Sequence, residues 1–557
     1  MPCIARTYVS PTLVLLAFDW PDGADLEDFL GFAIERKPGF EGKERSWLPN
    51  RLGFNGPISG AAAGSNLAPI QKFYWWDARI NTADRGRSFT YRIVPVTGQP
   101  NNPTPQDAQA ATVQVAIPEV KEHGITTHFN RAVVSSQAFA KEFPDISTKV
   151  LQTTARAWLA NGMEHAVPDF LDGAVNASIE GAIYHLTDRI WIVSAMRQYG
   201  GALSLTYNQT TTDHTSDDAI QDLTEAGRPA DAFTARTQAN IMHNKFLVRV
   251  GPSGQAEAVL AGSANFTSEG LSAQANVLHA FESPELASLY LARKRLLDGD
   301  PSLHDTQQAQ TGWSGPLHVG DAVIRAFFPP EPKNKRESLD AIIAAIEQAE
   351  HSVVLCAYDP TDMPLLHAVE AAATRGLMVW GLVNRVPAEE PTGDAERGDV
   401  AAKLELWRWS NTERSVVGFD AFRASDTPTD FLPELVLWPD ENPKIMVRVH
   451  HKFVVVDAEG KSPVIFTGSA NFSGNSLHNN DENLLEITAC PRLAGAYFAE
   501  FMRLYEHYRA RFSFERRQHG ESSAFTLTSD NSWNRKYFVD GSAFERARIA
   551  MAAQVNS

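Results

Sequence analysis

Cysteine is almost missing from this chain. Three residues, Cys3, Cys356 and Cys490, are spread over 557 positions. An odd and widely spaced set supports neither a disulfide framework nor a zinc knuckle. Scattered thiols suit a reducing cytoplasm, which is the expected location. Long apolar runs are lacking too. No stretch approaches the roughly 18 unbroken apolar residues of a membrane span. The run LVLLAF at 13–18 has neither the basic flank nor the length of a secretion signal, and it reads as a β-strand. Positive charge is in short supply: 50 Lys and Arg stand against 67 Asp and Glu, a formal net charge of −17. That sign argues against a broad basic surface coating nucleic acid, though not against a locally basic cleft. His, Cys, Asp and Glu show no metal-ligand spacing, so no metal and no cofactor is expected.

What remains is the composition of a globular protein, 43% hydrophobic and 21% charged. At this length two to four domains are expected. Residues 1–115 carry short aromatic and β-branched runs, TLVLLAFDW, GFAIER, FYWWDARI and FTYRIVPV, separated by Gly, Pro, Asn and Asp. This pattern predicts an all-β sandwich. The stretch TGQPNNPTPQDAQAA, 97–111, reads as a linker. The rest is a duplication. Residues 178–208 align with 352–384, each reading as strand, helix and strand, with Tyr184 opposite Tyr358 and Asn208 opposite Asn384. Alternating strands and helices predict an α/β layered fold in each half, 116–325 and 326–557, the second with a C-terminal extension. Asn208 lies 35 residues before His243, but Asn384 lies 66 before His450, so the second half carries an insertion of about 31 residues within 385–445.

Each half brings one His-x-Lys and one Gly-Ser-x-Asn: His243, Lys245, Ser263 and Asn265, then His450, Lys452, Ser469 and Asn471. The His-to-Asn spacing is 22 residues in the first half and 21 in the second. Residues two apart on a strand share a face, so imidazole and ammonium are expected side by side. Gly262 and Gly468 are placed to let backbone amides approach a ligand. One His-x-Lys alone is usually a surface pair. Two complete sets at near-equal spacing are not what apolar packing preserves. This double motif resembles the phospholipase D superfamily over roughly residues 125–510. The resemblance implies two similar α-β-α halves in one chain, one active site at their interface, and phosphodiester chemistry without a metal. The N-terminal unit resembles a fibronectin type III-like domain, with FTYRIVPV in the place of its late Tyr-bearing strand.

The residue types fit that chemistry. Lys245 and Lys452 offset the charge of a phosphodiester. Asn265, Asn471, Ser263 and Ser469 can donate to its non-bridging oxygens. One neutral imidazole attacks phosphorus to give a phosphohistidine; the other protonates the leaving oxygen and then deprotonates water. Eleven residues past each motif Asn stand Asn276 and Glu482. In the family, those positions orient the histidine of the opposite half. Carried over, Glu482 serves His243 and Asn276 serves His450, with His243 as nucleophile and His450 as general acid/base. Five residues past each Lys stand Val250 and Asp457. The odd spacing turns them from the His–Lys face, so Asp457 reads as structural. His451 reads as structural and His478 is left unassigned. Three substrate readings stand: a nuclease-like phosphodiesterase on DNA or RNA, a phospholipase D or phosphatidyl transferase on phospholipid, and an inactive scaffold. The β-domain offers a surface for a protein partner. The Arg-rich stretch 503–517 reads as a solvated amphipathic helix, and NSWNRKYF, 531–538, as a segment packed on the core.

Overall fold

The computed structural model describes residues 2–58, 61–132, 137–144, 148–384, 416–418, 448–518 and 526–553. Most of the 385–445 insertion therefore lies outside the described residues.

Two eight-stranded sheets share one strand order. In the first, the order is Lys121–Glu122, Ile125–Phe129, Val277–Phe281, Ala256–Gly262, Lys245–Val250, Ser178–Ile183, Leu203–Asn208 and Phe233–Arg236. In the second it is Leu317–Val319, Ala322–Phe327, Leu484–Thr488, Val464–Gly468, Lys452–Val456, Ser352–Ala357, Met378–Val383 and Val416–Gly418. The last three strands of each are parallel to one another and the rest pair antiparallel. Central strands are buried on both faces, which is why they read as near-continuous apolar runs. The outer face of the first sheet packs on Phe170, Ile192, Met196 and Leu223, and that of the second on Ile342, Leu365 and Val369. Between the sheets lies the largest core, where Phe246 and Phe453 meet Tyr290 of helix Pro284–Leu297 and Tyr497 and Phe501 of helix Pro491–Gln518. Among the described residues no helix is long and apolar enough to cross a membrane.

The N-terminal strands form two sheets around a common core. One contains Ile4–Ser10, Leu13–Asp19 and Tyr74–Asp77; the other is built on Phe29–Lys37 and Ser88–Gln99. Residues 97–111 are not a free linker. Asn102–Pro105 turns back on Ser88–Gln99, with Gly98 at φ +103 opposite Pro103. A proline is tolerated there because an edge strand loses nothing by lacking one N–H.

The C-terminal segment returns to this N-terminal core. Trp533 is stacked on Phe73 at 5.5 Å between ring centroids, and it donates from Nε1 to the Phe29 carbonyl at 2.9 Å. Tyr537 lies 4.9 Å from Phe73. The expected core packing of 531–538 is thus met, but on the N-terminal unit at the far end of the chain. The Arg-rich helix differs from expectation. Leu504, Tyr505 and Tyr508 are buried, and Glu506 is buried with Lys72, Tyr74 and Arg509 as partners. Arg503 donates to the backbone carbonyls of Asn130 and Arg131. Through residue 509 this is an interior helix, because its arginines are matched to carboxylate and carbonyl acceptors. Trp533→Ala should destabilise the chain by about 3–5 kcal/mol, read by chemical denaturation, because a large ring leaves a closed aromatic cluster.

Candidate active site

Two short backbone bridges join the halves. Ile241–Met242 pairs in parallel with Asn480–Asp481, and Gln274–Ala275 pairs in parallel with Arg448–Val449. The next residue in each case is a motif histidine or its orienting residue. The His243 N–H donates to the Asp481 carbonyl at 2.9 Å, and the His450 N–H to the Ala275 carbonyl at 3.1 Å. His243 and Glu482 are thereby set against each other, as are His450 and Asn276. The histidines therefore stand in the break between a bridging pair and the long strand that starts at Lys245 or Lys452. This replaces the simple strand-face picture. Lys245 Nζ donates to the His243 carbonyl, and Lys452 Nζ to the His450 carbonyl at 2.7 Å.

The buried side chains repeat this crossing. His243 Nδ1 lies 2.8 Å from Glu482 Oε2 and 3.0 Å from Oε1. Glu482 also accepts from Ser469 Oγ at 2.5 Å and from Ser476 Oγ at 2.9 Å. His450 Nδ1 lies 3.0 Å from Asn276 Oδ1, which accepts from Ser263 Oγ at 2.9 Å. The Asn276 amide is fixed because its Nδ2 donates to the carbonyls of Gly270 and Gln274 at 2.8 and 3.2 Å. Its oxygen is therefore the acceptor, and the His450 proton sits on Nδ1. In both imidazoles the orienting bond is made at Nδ1, on the opposite side of the ring from Nε2.

The serines and glycines do different jobs from those expected. Each serine hydroxyl has one proton, and Ser263 and Ser469 spend it on Asn276 and Glu482 rather than on a ligand. A Cβ on Gly262 would stand 2.2 Å from the Val277 carbonyl, and one on Gly468 2.3 Å from that of Asn483. Those glycines admit a neighbouring strand, not a substrate. Asn265 Oδ1 and Asn471 Oδ1 are buried and meet no hydrogen-bond partner among the described residues. Asp457 accepts from the N–H groups of Glu350, His351 and Ser352 at 2.9, 2.7 and 2.9 Å. It ties down the loop entering strand Ser352–Ala357. His451 is buried against Phe129 and Phe453, and His478 Nδ1 donates to the Glu331 carbonyl at 3.1 Å.

Several contributors were not singled out from sequence. The Tyr184 ring lies 4.8 Å from His243 and 5.0 Å from Lys245 Nζ. Tyr358 repeats this at 5.2 Å from His450 and 5.4 Å from Lys452 Nζ. The alignment of the two tyrosines was a signal for this. Ser476 stands five residues past Asn471, where the first half has Gly270, and the acid it holds explains the hydroxyl. Asp481, fully buried, joins Arg236 Nε at 2.8 Å to Arg293 Nη2 at 2.9 Å. No spacing rule reveals that ion triad. Among the described residues no group of three His, Cys, Asp or Glu is placed to hold a metal ion.

Burial dominates the electrostatics. It pushes the Glu482 carboxyl up to about 7, against the pull of Lys245 and its hydroxyl donors. It pushes Lys245 down to about 7, opposed by Glu482. His243 is held well below its ordinary value by burial and then by Lys245 and Lys452. The ionised acid is present above its value and the charged lysine below its own. If this site turns over a phosphodiester, kcat/KM should be bell-shaped with its maximum near pH 7, the two limbs belonging to the coupled pair. A bound phosphate anion favours the ammonium, so the alkaline limb of kcat should lie at higher pH. A pH–rate profile checks both.

Residues 342–505 match the protein family described as "Cardiolipin synthase, PLD-like domain". No curated protein matches the chain in sequence. Solved structures with a similar trace include phosphatidylserine synthase from Haemophilus influenzae Rd KW20, at 14% identity and TM-score 0.44, covering 62% of this chain and 85% of that one. Yeast tyrosyl-DNA phosphodiesterase is similar at 12% identity and TM-score 0.30, covering 56% and 82%. Polyphosphate kinase from Porphyromonas gingivalis is similar at 14% identity and TM-score 0.36; the match covers 58% of this chain and 42% of that one, under two thirds of its length. The matched segment, residues 342–505, which holds His450, Lys452, Ser469, Asn471 and Glu482, is thus similar to a phospholipase D-like domain.

Proposed function

We propose that the chain is a phosphodiesterase of the phospholipase D superfamily, in which residues 116–325 and 326–557 act as two phospholipase D-like halves with one active site between them. The observation that carries this reading is the crossed pair of orienting bonds, His243 to Glu482 and His450 to Asn276. His243 Nε2 attacks phosphorus, and a P–N bond forms as the bond to the leaving oxygen breaks. His450, entering the step as the doubly protonated imidazolium, gives its Nε2 proton to that oxygen. In the second step His450 takes a proton from water, the water oxygen attacks phosphorus, and His243 departs. Lys245, Lys452, Asn265 and Asn471 hold the non-bridging oxygens throughout. Glu482 is the better partner for the nucleophile, because a carboxylate stabilises the cation that His243 becomes. A neutral amide leaves His450 the stronger acid.

For substrate we favour DNA or RNA, cleaved in a nuclease-like reaction. The description of the matching family supports a second reading, transfer or hydrolysis of a phospholipid headgroup. We read the N-terminal sheets as a fibronectin type III-like module. Its core is shared with Trp533 and Tyr537, which supports a packing role beside any partner surface.

Turnover of single- and double-stranded DNA, RNA, phosphatidylcholine and bis(p-nitrophenyl) phosphate in EDTA tests the reading. At least one diester should be cleaved, and His243→Ala should lose about 10⁴-fold or more. Lipid-only turnover would remove the nuclease reading, and turnover of none would remove the phosphodiesterase.

A further inference from the structure

The wall beside His243 carries two groups that this chemistry leaves unused. His185 follows Tyr184, whose ring links it to the proposed nucleophile. The Tyr184 and His185 rings stack at 3.7 Å between centroids and 18° between planes. His185 Nε2 lies 2.8 Å from Asp213 Oδ2, which also accepts from Asn208 Nδ2 at 2.9 Å. The Thr215 N–H donates to Asp213 Oδ1 at 3.1 Å. Asn208 Oδ1 in turn accepts the N–H of Met242, the residue before His243, at 2.8 Å. The dyad is thus built into the backbone that places the nucleophile.

Its protonation follows from its partners. Burial alone would raise the Asp213 carboxyl, but the bonds from His185 and Thr215 hold it below its ordinary value. Burial keeps the His185 imidazole below its own ordinary value, with Lys245 adding to this and Asp213 opposing it. An ionised acceptor at Nε2 draws the single proton of a neutral imidazole to that nitrogen. Nδ1 is then a lone-pair acceptor, and among the described residues no hydrogen bond to it is formed. Such a nitrogen takes a hydroxyl, not a phosphate oxygen.

Position decides which hydroxyl. In-line displacement sets His243 and the leaving oxygen on opposite sides of phosphorus. His185 is stacked on Tyr184, whose ring borders His243; with His243 as nucleophile it stands on the attacking side, away from the leaving group and from the water that later enters along the same line. The ester group that stays on phosphorus remains. After Tyr358 the second half has Asp359, so the two walls differ in chemistry.

We propose that His185, held by Asp213, is a specificity-determining residue that accepts a hydrogen bond from a hydroxyl of the retained alcohol, on the sugar or glycerol side of the diester. This rests on the phosphodiesterase reading with His243 as nucleophile. Three p-nitrophenyl phosphodiesters with one leaving group test it, the retained group being a nucleoside, glycerol or ethanol. Wild-type kcat/KM should favour a hydroxylated ester over the ethyl ester by about tenfold, the scale of one hydrogen bond. Whether the nucleoside or the glycerol ester leads names the source of the hydroxyl. His185→Phe should bring the ratio close to one, and His185→Asn, which keeps an acceptor, should restore part of it. Asp213→Asn leaves the imidazole in place and should also lower the ratio, which covers a His185 variant that does not fold. A wild-type ratio near one, or a ratio unchanged in His185→Phe, overturns the proposal. No turnover of any of the three by the wild-type chain overturns the phosphodiesterase reading itself.

Discussion

The site depends on hydrogen bonds that cross between the two halves. His243 is oriented by Glu482, and His450 by Asn276, each from the other side. Neither half holds a complete set. In the proposed reaction the relative placement of the sheets is therefore part of the chemistry, and the backbone bridges at 241–242 and 274–275 fix it. The buried Asp481 between Arg236 and Arg293 belongs to the same constraint. A buried ion triad stabilises little in net terms, but losing the shared carboxylate leaves Arg236 and Arg293 buried with fewer acceptors for their charge. That makes a slide of one half past the other costly just where Glu482 must meet His243.

The repeated frame is used asymmetrically. One orienting residue is an acid with hydroxyl donors from Ser469 and Ser476. The other is an amide whose nitrogen is absorbed by the carbonyls of Gly270 and Gln274. Glycine at 270 and serine at 476 are matched to this difference. A Cβ on Gly270 would stand 2.2 Å from the Asn265 carbonyl, and the acid needs a donor that a glycine cannot offer. Two sheets of one strand order thus present, in the proposed reaction, one imidazole suited to carrying positive charge and one suited to giving up a proton.

Much of this was legible in the residues because chemistry and period agree. The double His-x-Lys and Gly-Ser-x-Asn pointed to the site, and the count of eleven to Asn276 and Glu482 led to the pairs the structure brings together. Strand pattern misled where tertiary context decides. The Pro-rich 97–111 stretch is a hairpin, since edge strands accept proline. The Arg-rich helix is interior through residue 509, since Glu506 and the carbonyls of residues 130 and 131 await its cations. From sequence alone Ser263 and Ser469 read as ligand donors, because a hydroxyl does not announce its partner. The return of Trp533 to Phe73 joins positions 460 apart, and no local rule sees that distance.

Mass spectrometry of the chain quenched in base during phosphodiester turnover addresses the division of labour most directly. Phosphorus attached to His243 is the result expected from the Glu482 partnership. Phosphorus attached to His450 would contradict it.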